Sequence, residues 1–150
     1  MPRITIPTQV KVRVGIEQGC VYNFAPDKAT ANHYFIVLNK NPKNDADIYL
    51  ASFTSKKENV LRFIELHKLD RKTFVEVERG DCTFLSRPDE TCINCNKYRR
   101  YDIQKMIDLI DASNGNCNYP KVSNKLLERV LYGVKSSRLV AEDVKKLCGI

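Results

Sequence analysis

HYFIVLNKNPKNDADIYLASFTS, residues 33–55, sets two apolar runs on either side of a polar turn. His33-Tyr34-Phe35-Ile36-Val37-Leu38 is too short for a buried helix and rich in β-formers, which predicts a strand covered on both faces. Asn39 to Asp45 collects residues that favour turns through a fixed φ or local side-chain hydrogen bonds, and Asp47 to Phe53 returns as a second strand. A hairpin is the economical reading. It brings Asn32 and His33, at the start of the first strand, toward the end that carries Thr54 and Ser55, so basic and hydroxyl groups share one rim.

Toward the N-terminus, Val10-Lys11-Val12-Arg13-Val14-Gly15-Ile16 alternates apolar and basic residues, the pattern of a half-exposed strand or an extended arm. Residues 19–24 read as the next strand and residues 25–32 as a polar, mobile loop, the kind of segment that often carries ligand contacts. Beyond the hairpin, Ser55-Lys56-Lys57-Glu58 has capping-box spacing ahead of Val60, Phe63, Ile64 and His67, which predicts a helix over Lys56–His67. Residues 73–78 alternate as a strand, and two more strands are expected over 82–85 and 91–95. Asp102 then caps a helix whose stripe is Ile103, Met106, Ile107 and Ile110, ended by Gly115. Ser123 opens another through Leu126, Leu127, Val130 and Leu131, and Val144 and Leu147 mark the last. The architecture that follows is α+β, a barrel-like sheet of roughly five to seven short strands with helices packed on one side.

With 150 residues, 43% hydrophobic and 29% charged, the chain supports one domain with a real core. The net charge of +7 suits an anionic partner, and solvated lysines explain it equally. Residues 1–7 lack the apolar core of a signal peptide, and no run approaches the roughly 20 apolar residues that span a bilayer. A cytoplasmic protein without a membrane association is the expectation, and six cysteines there are expected as thiols rather than disulfides.

Gly19-Cys20-Val21-Tyr22, His33–Leu38 and Phe53-Thr54-Ser55, followed by Phe84-Leu85, Thr91-Cys92-Ile93 and Lys97–Ile107, resemble in layout the MazF/PemK family of toxin endoribonucleases. The resemblance covers roughly residues 15 to 112 and implies an SH3-like barrel domain over 1–112, leaving 113–150 as a helical extension packed on the same domain. It further implies a homodimer that cleaves single-stranded RNA without metal or cofactor and is held in check by a cognate antitoxin protein. In such chemistry the 2′-hydroxyl attacks the adjacent phosphate, so a group must take its proton and donors must meet the charged phosphorane. The family uses an Arg before the second strand and a Thr or Ser after the third. Thr54, with Ser55 beside it, falls on the second station. At the first, Asn32-His33 replaces the family's Arg-Pro.

An imidazole can give or accept a proton near neutrality, so His33 can stand in physically; an exposed or packed histidine is the alternative. Thr54 is equally a helix cap, and Lys56 and Lys57 meet a phosphate backbone in one reading and water in the other. Asn96-Lys97-Tyr98-Arg99-Arg100-Tyr101 interleaves cations with aromatics, as a surface does that pairs with phosphates and stacks bases, so Lys97, Arg99 and Arg100 join the RNA-binding candidates. Cys92-Ile93-Asn94-Cys95 could bind zinc with Cys82 and Cys117, although a zinc ribbon normally repeats the CxxC, and small apolar cysteines in a core explain the same residues. Two rivals to the nuclease follow: a non-catalytic nucleic-acid- or protein-binding barrel of the same fold, and a zinc-stabilised binding module.

Overall fold

In the computed structural model, which describes residues 5–27 and 30–150, the 33–55 stretch is a hairpin. Strand β2 (His33–Val37) runs antiparallel to β3 (Asp47–Thr54), with Phe35 opposite Ser52 and Val37 opposite Leu50. Asn39 closes the turn from a fully buried position: its Nδ2 donates to Asp45 Oδ2 and Asp47 O, each at 2.9 Å, while its Oδ1 accepts from Tyr49 N at 2.7 Å. A buried amide satisfied on both sides fixes the register.

Around this pair, β1 (Val21–Phe24) lines the outer edge of β2, and β3 gives its first half to β6 (Arg99–Asp102) and its second half to β5 (Cys92–Asn94), which carries β4 (Phe74–Glu76). Among the described residues the six antiparallel strands do not close into a barrel. The free edge of β1 is taken by Asn116, which exchanges two backbone hydrogen bonds with Asn23, and Arg129 donates to the Glu76 carbonyl of β4. Each outer strand is therefore covered by a loop or a side chain rather than by the other.

The α+β class is as expected, but the helices cover both faces instead of one. Tyr22, Phe24, Phe35, Val37, Ile48 and Leu50 pack against Val12 of α1 (Thr8–Gly15) and Met106, Ile107 and Ile110 of α3 (Ile103–Ala112). Val21, Ile36, Leu38, Tyr49, Ala51 and Phe53 face Leu126, Val130 and Val134 of α4 (Asn124–Ser136) and Val144 of α5 (Glu142–Leu147). Successive residues of β2 and β3 thus alternate between two cores, which is why their sequence is continuously apolar. Gly133 lets α4 approach β5: a Cβ there would lie 2.7 Å from Cys95 Sγ and 2.9 Å from Lys72 O. From Tyr119 onward the C-terminal segment packs in the second core, and residues 147 and 148 are tied down by Lys40 N donating to Leu147 O and Gln18 Nε2 donating to both Leu38 O and Cys148 O.

Several expectations are corrected. Residues 8–15 form a helix, not a strand, because Val12 and Ile16, four apart, are the buried pair, while Val10 and Val14 are 47% and 68% exposed. Residues 82–85 form no strand; Phe84 instead stacks with Tyr34 at 4.9 Å and Tyr119 at 5.0 Å. The strand expected over 73–78 is confined to β4, the basic stretch contains β6, and α2 (Lys57–Leu66) starts without a side-chain cap from Ser55. Asp102 and Ser123 cap α3 and α4 as expected, accepting from Lys105 N and Leu126 N. Lys28 and Ala29 of the loop, and residues 1–4, lie outside the described residues.

Candidate functional site

The sheet face under α3 continues past that helix. The β2–β3 pairing ends at Phe35 and Ser52, and His33 and Thr54 lie beyond it at the same end of the two strands. Beyond the helices this end of the face opens into a groove of about 600 Å³, walled by α2 on one side and by residues 94–99 on the other. Phe35, Leu50, Val60 and Phe63 give it an apolar floor, and His33, Thr54, Lys56, Lys97 and Arg99 also line it.

His33 is exposed, with its ring edge-on to Phe35 at 6.4 Å. Thr54 Oγ1 accepts from Lys56 N at 3.1 Å, which ties the hydroxyl to the turn leading into α2 and leaves its proton free to donate. Lys97 Nζ sits 4.4 Å from the centre of the Phe63 ring, a cation–π contact that keeps an ammonium over the floor. Among the described residues Lys56 and Arg99 make no ion pair, so both cations remain available to an anion.

The other sequence candidates lie outside the groove. Asn32 donates to Asn23 Oδ1 and Ser113 O, each at 3.3 Å, and lines a separate depression beside α3. Ser55 faces a shallow hollow with Glu58 and Asp89. Lys57 is held by Glu76 at 3.4 Å and the Asp89 carbonyl, and Arg100 pairs with Asp47 at 3.0 Å. Alternation along β6 separates the two arginines, Arg99 toward the groove and Arg100 toward Asp47.

Ser52, Asn59 and Asn94 line the groove without having been singled out from sequence. Asn94 was hidden inside the CxxC, yet Ile93 facing the core put Asn94 on the opposite face by period-2 logic. The cysteines themselves scatter: Cys82 and Cys95 are in the α4 core, Cys92 is with Val60 and Ile64 of α2, and Cys117 borders the α3 core. Among the described residues no group of three or more His, Cys, Asp or Glu is placed to hold a metal ion. Burial pushes the Cys92 thiol up to about 11 and those of Cys82 and Cys95 up to about 12. The zinc-module expectation fails on this scatter, and the reading of small buried hydrophobes takes its place.

No protein-family model matches the chain, and no curated protein matches it. Among the described residues no helix is long and apolar enough to cross a membrane.

Proposed function

We propose that the groove binds single-stranded RNA and cleaves it by attack of a 2′-hydroxyl on the adjacent phosphate. The observation that supports this reading is that His33 and Thr54 line one groove with Lys56, Lys97 and Arg99, the cations that line it among the described residues. His33 takes the 2′-hydroxyl proton, the 2′-oxygen bonds to phosphorus, and the bond to the 5′-oxygen breaks with a proton supplied from water at the open mouth. Thr54 donates its hydroxyl proton to the phosphorane, whose charge the cations offset. In this reading the chain is a cytoplasmic toxin of the MazF/PemK type, working as a homodimer on an opened version of the small barrel, with an antitoxin that covers the groove.

A single-stranded oligoribonucleotide incubated with the protein in EDTA should yield fragments ending in a 2′,3′-cyclic phosphate, identified by mass. Binding should weaken with salt at a slope of log K on log[salt] of about −2, the value for three phosphate contacts on a single strand. Lys57→Ala and Arg100→Ala should leave that slope unchanged, because their cations are already paired. Asn32, bonded away from the groove where the family carries arginine, favours a second reading in which the groove binds RNA without cutting it. Salt-dependent binding with intact RNA after prolonged incubation would decide for that alternative.

A further inference from the structure

Resting on the RNA reading of the groove, we propose that Asn94 reads a nucleobase there, donating from Nδ2 to a ring carbonyl. Asn94 is half-buried and lines the groove. Its Oδ1 accepts from Asn96 N and from Asn96 Nδ2, both at 3.0 Å. A backbone N–H needs an acceptor, so this contact sets which way the amide points and leaves Nδ2 as the free end. Among the described residues that amino group has no hydrogen-bond partner, whereas the rest of the network is complete.

The support behind Asn94 is rigid. Asn96, 5% exposed, donates from Nδ2 to Thr73 Oγ1 at 2.8 Å and accepts from Ser137 Oγ at 2.6 Å. Thr73 passes its own proton to Asp70 O, and Ser137 Oγ accepts from Leu139 N at 3.2 Å. A chain of satisfied buried groups therefore runs from the end of α4 to the groove and holds one donor at a fixed place beside an apolar floor. Fixed donors next to ring-sized apolar surface are how proteins read unstacked bases in single-stranded RNA. At C4 of a pyrimidine or C6 of a purine, uracil and guanine present a carbonyl where cytosine and adenine present an amine, so a donor that meets that position favours the first pair.

The test is fluorescence anisotropy of the full chain with ten-nucleotide oligouridylate and oligocytidylate. Wild type should bind the uridylate tighter by about tenfold, the discrimination of one well-placed base contact. Asn94→Asp keeps both hydrogen bonds accepted from Asn96 and exchanges the donor for an acceptor, so the order of the two oligomers should reverse on top of any uniform loss from the added charge. Should that variant not fold, 4-thiouridine in the oligomer, a weaker acceptor on the same ring, should lower wild-type affinity. Equal wild-type affinities for both oligomers, or an unchanged order in a folded Asn94→Asp, overturn base reading by Asn94 while leaving RNA binding intact. No binding to either oligomer overturns the RNA reading and this inference with it.

Discussion

Thr54 ties its hydroxyl oxygen to the backbone, accepting from Lys56 N, and lines the groove that His33 also lines. Thr54→Val keeps the shape and removes the hydroxyl. On the proposed mechanism, cleavage should fall by about 10²-fold or more through the lost donor to the phosphorane. Stability should fall by about 1 kcal/mol through the lost cap-like bond, measured by urea unfolding. A stability loss with full cleavage would leave Thr54 a turn residue only. Among the described residues His33 makes no comparable structural bond, so on the proposed mechanism His33→Gln should leave unfolding unchanged and lower cleavage, since glutamine can bond to a phosphate but cannot accept the 2′-hydroxyl proton. Cleavage by the variant at the wild-type rate would place the proton transfer elsewhere.

Between elements, Asp81 joins β4 to α4. Its carboxylate, 5% exposed, accepts from Arg129 Nη2 at 2.6 Å, Ser123 Oγ at 2.7 Å and Glu78 N at 2.8 Å, and its carbonyl accepts from Ser123 N. Asp81→Ala should cost about 3 kcal/mol, because it strands Arg129 beside the edge strand and frees the residue that caps α4. A loss below about 1 kcal/mol in urea unfolding would show that the packing of α4 holds the edge unaided. None of this strut could be read from sequence, since it joins residues 81, 123 and 129 through space. What could be read was local: the hairpin, whose turn residues and apolar runs agree, and the helices announced by Asp102 and Ser123. The first helix was missed because three valines at i, i+2, i+4 imitate a strand, while the deciding pair, Val12 and Ile16, is completed only by α3. Half of the groove was similarly legible, because register follows from the hairpin, whereas the pairing of Lys57 and Arg100 with distant carboxylates does not.

Across the whole molecule, burial has removed the thiols from ordinary acid–base behaviour. Cys92 and Cys148 are pushed up to about 11, and Cys82 and Cys95 to about 12, from an ordinary 9.0. The unfolded chain releases these protons as pH passes 9 and the folded chain does not, so this contribution to stability is complete below pH 9 and is lost between 9 and about 11–12. Urea midpoints should therefore drop between pH 8 and pH 10.5, and less steeply in Cys95→Ala than in wild type; equal drops would assign the loss to other groups. The docking of residues 147 and 148 onto residues 18, 38 and 40 also sets an order in time. On a ribosome adding roughly 5–20 residues per second, on the order of ten seconds separate the hairpin from the helices that cover its second face. Until then Ile36, Leu38 and Ala51 face water, and Asn96 lacks the Ser137 hydroxyl that steadies the groove wall. A braced groove wall is thus available only once synthesis has passed Ser137, well after the hairpin that supplies part of the floor.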